Sequence, residues 1–218
     1  MPQIFRPAAD TVARVVLVSV LLAPFVLIGG AYAVMRSEYI TDQSITLDQP
    51  VPFSHAHHVG GLGIDCRYCH TSVEQSASAG MPPTHTCMTC HSQLFTNAAM
   101  LAPVRQSLAQ NKPIHWNKVY RLPDYVYFDH SVHIANGIGC STCHGAIQAM
   151  PLTRQAVPLT MSWCISCHRD PKPYLRPHAQ IFNMQWTPPK DQAERARRLL
   201  VEYHIDTEHL TDCSRCHR

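Results

Sequence analysis

The sequence predicts a mainly α-helical protein with much irregular structure. One N-terminal transmembrane helix should precede a domain rich in cysteine and histidine. Three observations carry this expectation. Residues 15–35 run for 21 positions without a charge. All ten cysteines fall in five C-x-x-C-H elements. Seventeen prolines interrupt 218 residues of which only 15% are charged, a profile unlike that of an ordinary globular enzyme.

The chain is read as a cytoplasmic N-terminus at 1–11, a transmembrane anchor at 12–35, a linker at 36–50 and a periplasmic domain at 51–218. At 1.5 Å per residue, about 20 apolar residues cross the hydrocarbon core of a bilayer. Pro24 and Gly29-Gly30 lie inside this run, where neighbouring helices can satisfy the backbone and pack closely. A cleavable signal peptide is the competing reading, since Leu17–Ile28 has h-region length and Ala31-Tyr32-Ala33 resembles a cleavage site. The length of the uncharged run favours the anchor. Arg6 and Arg14 then hold the amino terminus in the cytoplasm, and the rest of the chain lies outside.

The first repeat follows. Phe53-Ser-His55-Ala-His57-His58 leads to Cys66-Arg-Tyr-Cys69-His70 and then Cys87-Met-Thr-Cys90-His91. The second opens on Phe128-Asp-His130-Ser-Val-His133, continuing to Cys140-Ser-Thr-Cys143-His144 and Cys164-Ile-Ser-Cys167-His168. A fifth motif, Cys213-Ser-Arg-Cys216-His217, closes the chain. From the first histidine to the first cysteine there are eleven residues in one copy and ten in the other.

C-x-x-C pairs also hold zinc, form disulfides or act as redox dithiols. Histidine is 15 of 218 residues, so five histidine followers by chance have odds on the order of one in a million. C-x-x-C-H is the attachment signal for c-type haem: two sulfurs add to the vinyl groups and the adjoining histidine supplies an axial nitrogen. The expected cofactors are five covalently attached haem c groups. They are held by Cys66, Cys69, Cys87, Cys90, Cys140, Cys143, Cys164, Cys167, Cys213 and Cys216, with His70, His91, His144, His168 and His217 as proximal ligands. About 35 residues per haem are too few for separate domains, so the haems themselves should form much of the apolar core. Covalent attachment occurs on the outer face of bacterial membranes, in agreement with the predicted topology.

Between the motifs the chain reads as loops and short helices. Gly80-Met81-Pro82-Pro83-Thr84-His85-Thr86 is turn-rich. Residues 98–110 fit a short helix stopped by Lys112-Pro113, and 113–128 should run extended. Pro171, Pro173 and Pro177 forbid a continuous helix after the fourth motif. A helix over 188–203 is expected, with Pro just inside its start and Ala193, Ala196, Leu199, Leu200 and Tyr203 as its apolar stripe. His55 with His58, and His130 with His133, stand at i and i+3, so each pair could serve two different irons. Met81, Met150 and Met161 are candidate thioether ligands. His204, His209, His178 and His115 compete for the remaining distal position. A net charge of +3 and the lack of clustered basic residues give no sign of nucleic-acid binding.

One anchor, five C-x-x-C-H motifs, two F-x-H-x-x-H openings and the segments LPDYVYFDH and LTMSWCISCHR together resemble the pentahaem cytochrome c subunit of bacterial alternative complex III. The half-repeats resemble class III multihaem cytochromes more broadly. By that analogy His55 serves the first haem, His58 the second, His130 the third and His133 the fourth. Of the competing histidines His204 is the candidate for the fifth. The resemblance implies an electron-transfer subunit, not itself an enzyme, within a quinol-oxidising complex of the bacterial inner membrane. Its implied partners are an iron–sulfur protein related to molybdopterin oxidoreductases, polytopic quinone-binding subunits and a monohaem cytochrome c, with electrons passing towards a periplasmic carrier or oxidase. Two other classes remain open: a stand-alone membrane-anchored multihaem quinol dehydrogenase, and a multihaem reductase with one five-coordinate iron.

Overall fold

The computed structural model describes residues 7–217; residues 1–6, including Arg6 of the topology reading, and Arg218 lie outside the described residues. The chain divides into two units between Asp42 and Gln43. The first contains helix α1 (Pro7–Met35) and a single turn, α2 (Glu38–Thr41). Helix α1 is long and apolar enough to cross a membrane by length and composition. Its 29 residues span about 43 Å at 1.5 Å each, against the roughly 30 Å of a hydrocarbon core. It starts five residues before the expected boundary. Arg14 pairs with Asp10 at 2.8 Å along that added turn, neutralising both charges near its start. At its other end the Arg36 guanidinium lies over the Tyr32 ring.

The second unit is helical and irregular, with no β-strand among the described residues, only isolated bridges. Its helices are α3 (Cys66–Cys69), α4 (Thr84–His91), α5 (Ala102–Gln110), α6 (His130–Ala135), α7 (Cys140–His144), α8 (Met161–Arg169) and α9 (Gln192–Glu202). Side-chain caps start three of them. Asp65 accepts from the Arg67 amide before α3, Asp129 from Val132 before α6, and Thr160 from Trp163 before α8. Asn111, in the left-handed region at φ 50°, ends α5 where Lys112-Pro113 was expected to stop it.

The polar stretch 36–50 is not one connection. Gln43 and Thr46 bridge to Gln155 and Arg154, so the chain joins the second unit well before Pro50. Helix α9 begins four residues later than expected, because Gln192 is drawn into the preceding loop. Its amide bonds the Pro189 carbonyl, and its side chain bonds the carbonyls of Lys172 and Leu175. Ala196 and Leu199 are buried from this helix, but Ala193 is exposed, so the apolar stripe is shorter than its spacing suggested.

Two small cores flank α6 and α7. One gathers Val73, Ile134 and Ile181; the other gathers Leu175, Ala196 and Leu199, with Ile138 and Tyr203 packed against it. Only nine hydrophobic side chains are buried among the described residues. The accessible surface is 15185 Å², where a compact monomer of this length exposes about 10,000 Å². The exposed α1 accounts for part of the excess. The rest follows from a second unit whose polypeptide does not close a core of its own.

Candidate haem-binding site

All five C-x-x-C-H motifs sit on helical turns. Four lie on α3, α4, α7 and α8, and the fifth on a 3-10 turn, Cys213–Arg215. The turn sets the two sulfurs three residues apart on one side, with the histidine at its end. The ten cysteines are not bonded to one another. Burial pushes the thiols of Cys66, Cys69, Cys87 and Cys164 upward, and those of Cys140, Cys143 and Cys167 to about 11, about 12 and about 11. A redox dithiol needs the opposite shift. Among the described residues no cluster of three or more cysteine, histidine or acidic side chains converges as a zinc site would require.

The histidines pair across the unit. Ring centroids lie 6.2 Å apart for His58 and His91, 6.3 Å for His130 and His144, and 6.1 Å for His133 and His168. A separation of about 6 Å leaves room for one iron that both rings of a pair would hold. His55 and His70 also lie near each other: the pKa of His55 falls to about 4, through burial first, then through the charge of His70 and that of His58. Burial likewise lowers His133, and it takes His144 to about 4, helped by His130, His70 and His55. Neutral imidazole is the form that binds a metal.

Hydrogen bonds to the backbone fix which ring nitrogen is free. Nδ1 donates to a backbone carbonyl in His58 (Ser54, 2.9 Å), His70 (Gly80, 2.8 Å), His91 (Leu94, 3.1 Å), His130 (Ala77, 2.8 Å), His133 (Asp129, 2.7 Å) and His168 (Leu210, 2.8 Å). Each bond leaves Nε2 bare, the arrangement expected of a ligating histidine. His55 Nδ1 instead meets Thr153 Oγ1 at 2.9 Å. The donor set and the pair spacings therefore fit haem c. Cys66 and Cys69, Cys87 and Cys90, Cys140 and Cys143, Cys164 and Cys167, and Cys213 and Cys216 would bind it covalently.

The phenylalanine that opens each repeat clamps both of its histidines. Phe53 meets His55 edge-on (5.0 Å, 87°) and stacks on His58 (4.5 Å, 21°). Phe128 meets His130 (4.8 Å, 90°) and His133 (4.3 Å, 28°) in the same way. The shared spacing of Phe and His in the two openings was the sequence signal for this role. The extra residue of the first copy is taken up by a π-turn at Ala56–Gly61, where the second copy has the α-turn of α6. The repeats also hold one another. His130 reaches Ala77 in the first half, while His55 reaches Thr153, and the Ala56 amide reaches Met150, in the second.

Neighbouring motifs run in the order two, one, three, four, five. Tyr68 and Thr89, inside motifs one and two, share a 2.9 Å hydrogen bond. Cys66 adds to the upward shift of Cys140, Cys167 and Cys164 to that of Cys143, and Cys216 to that of Cys164. The fifth motif is held by residues 125–127: Tyr127 donates to the carbonyls of Cys216 and Ser214, and the Tyr125 ring lies over His217 at 5.9 Å.

The competing ligands are placed differently. His178 stacks on Tyr203 with its Nε2 bonded to the Ala135 carbonyl, which ties up the nitrogen it would offer. His204, just past α9 with φ 54°, and His115 and His209 are exposed. Met81 and Met161 are exposed, and Met150 is buried beside the π-turn.

Residues 126–218 match the family of cytochrome c7 and related cytochrome c. The menaquinone reductase multihaem cytochrome c subunit of Nitratidesulfovibrio vulgaris is 35% identical over 98 residues, which is 44% of this chain and 46% of that protein. The chain thus spans about half the length of the curated relative it matches. Over residues 126–218 the C-terminal part is a cytochrome c7-like multihaem domain, a likeness that implies covalently bound c-type haem.

Proposed function

We propose that the chain carries five haem c groups and serves as the electron relay of a membrane quinone-linked complex, with α1 as anchor and the second unit on the periplasmic side. The observation that carries this reading is the set of three histidine pairs at 6.1–6.3 Å, five of the six rings oriented by a backbone carbonyl. Haem c, when bound, supplies one-electron chemistry at iron.

The chain's own residues do the rest. Cysteines would hold the group, histidines would supply its nitrogen ligands, and Phe53 and Phe128 keep their paired rings from swinging away. At the first four sites two protein ligands would leave no open position for a small substrate, which favours a relay over a reductase. The motif order places the second motif at one end and the fifth at the other, a row that suits conduction between partners. The ring separations support reading His58, His130 and His133 as distal ligands of the second, third and fourth sites, and His55 is read as the distal ligand opposite His70. His204 remains only a proposal for the fifth site.

The quinol-oxidising assembly of alternative complex III is the reading that the sequence resemblance supports. Its iron–sulfur, polytopic quinone-binding and monohaem cytochrome subunits would be the partners, with electrons leaving towards a periplasmic carrier or oxidase. A second reading reverses the flow, because the named relative belongs to a menaquinone reductase. Both are tested by following the haem α-band in the intact membrane complex and in the isolated chain. Rapid reduction by a quinol analogue in the complex supports the first; haem oxidation by added menaquinone analogue, after reduction by a low-potential donor, supports the second. Quinone sites are enclosed pockets with converging polar groups, which one membrane helix does not provide, so the isolated chain should react slowly in both directions. Fast, inhibitor-sensitive reduction of the isolated chain would instead establish a stand-alone quinol dehydrogenase.

A further inference from the structure

A buried arginine sits on the third attachment turn. Arg176 is 3% exposed. Its Nη2 donates to Ser141 Oγ and Thr142 Oγ1, both at 3.2 Å, and these are the two residues between Cys140 and Cys143. Nη1 donates to the Asn183 carbonyl, and Cζ lies 4.2 Å from the centre of the Trp186 ring. Every one of these contacts is uncharged, and Nε is buried with no partner. A side chain at Gly139 would overlap the guanidinium, so glycine immediately before Cys140 is what admits it. Leaving a buried cation without a counter-ion is costly.

A second observation concerns the same turn. His144 Nδ1 is buried and has no hydrogen-bond partner, whereas Nδ1 of His58, His70, His91, His130, His133 and His168 each donates to a carbonyl. The Tyr120 ring lies 4.4 Å from the His144 ring, and its hydroxyl is engaged by the Ala156 amide.

We infer that Arg176 and the unbonded Nδ1 of His144 make the third haem the highest-potential haem of the chain. The inference rests on the reading that Cys140, Cys143 and His144 hold haem c. Reduction adds one electron and so removes one unit of positive charge from the site. A fixed cation favours that state, and more strongly where the surroundings are dry. A hydrogen bond from Nδ1 makes a ligating imidazole more basic and so favours the oxidised iron; His144 lacks that bond. The two effects have the same sign. The third motif is also the middle of the row, so an electron entering from either end would come to rest between the two ends.

The test is a spectroelectrochemical titration of the full-length chain, matured with its haems and kept in mild detergent. H130A removes the third distal ligand and so identifies that haem, as the component whose low-spin signal disappears. The expected result is that this component has the highest midpoint in the wild type. R176M should lower its midpoint and leave the other components in place, and R176K, which keeps the charge, should restore most of the shift. The inference is overturned if another component ranks highest, or if R176M leaves this one unmoved or raises it. If R176M fails to mature, the wild-type ranking decides alone. Mass spectrometry of the Cys140–Cys143 peptide separates the two levels: an absent haem there sinks the binding reading, whereas an attached haem of low potential sinks only this inference.

Discussion

Replacing Phe128 with leucine should loosen two haem ligands at once and leave the other repeat untouched. Leucine keeps the site apolar but removes the stacked contact on His133 at 4.3 Å and the edge contact on His130 at 4.8 Å. Aromatic contacts of these geometries contribute about 0.5–1.5 kcal/mol each beyond simple burial, so the pair is worth about 1–3 kcal/mol. If that stabilisation is shared evenly, each histidine loses about 0.5–1.5 kcal/mol, which raises its ligand-off population about 2- to 12-fold at 1.4 kcal/mol per tenfold. Carbon monoxide binds a reduced haem only while the distal ligand is away, so its binding rate reads that population directly. Two of the reduced haems in F128L should therefore bind it about 2- to 12-fold faster than in the wild type. F53L should do the same for the haems served by His55 and His58. Acceleration at one haem only, or at haems of the wrong repeat, would show that the phenylalanines do not clamp the histidine pairs.

Mass spectrometry of the denatured, matured chain should find five covalent haems, and Cys213→Ser should leave the fifth with a single thioether link; four or fewer haems in the wild type would break the count. H58A should convert one haem to high spin while it stays attached, read by magnetic circular dichroism; an all-low-spin spectrum would remove His58 from the ligand set. G137A should destabilise the second unit in chemical denaturation. Gly137 has φ +76°, and a Cβ there would meet Tyr203 Cε2 at 2.6 Å and the Arg176 carbonyl at 2.8 Å. The left-handed conformation costs about 1–2 kcal/mol and overpacking about 1–3 kcal/mol, giving about 2–5 kcal/mol together.

What could be read from the sequence was whatever covalent chemistry or helical spacing dictates. The cysteine pairs and their histidines are fixed by the geometry of attachment, and i,i+3 spacing alone put His130 and His133 on one face. The acceptors that orient the rings were invisible for a physical reason. Ala77, Gly80, Leu94 and Leu210 act through backbone carbonyls, which every residue possesses, so their identity leaves no trace. Arg176 was hidden for a related reason: a basic side chain in a proline-rich loop looks exposed until Gly139 is seen to make room for it. His178, one of four histidines competing for the fifth distal position, bonds the carbonyl of Ala135, 43 positions earlier, a contact that no local pattern announces. The late start of α9 has a similar origin, since propensity favours Pro188 while the side chain of Gln192 is committed to the loop at Lys172 and Leu175.

The two repeats explain how so small a core suffices. Each opening sends its first histidine into the other half, His55 to Thr153 and His130 to Ala77, while its second histidine bonds back to its own turn, His58 to Ser54 and His133 to Asp129. One turn thus spans two sites and both halves. Seven of the eight histidines of the first four sites are held at Nδ1, and only His144 is not. In a chain with nine buried apolar side chains, this network ties segments that the hydrophobic effect alone would leave apart. Ligation and folding are then one process. Loss of either cross-repeat bond, His55 to Thr153 or His130 to Ala77, should loosen the contact between the two halves, while each pair of ligands stays within its own repeat.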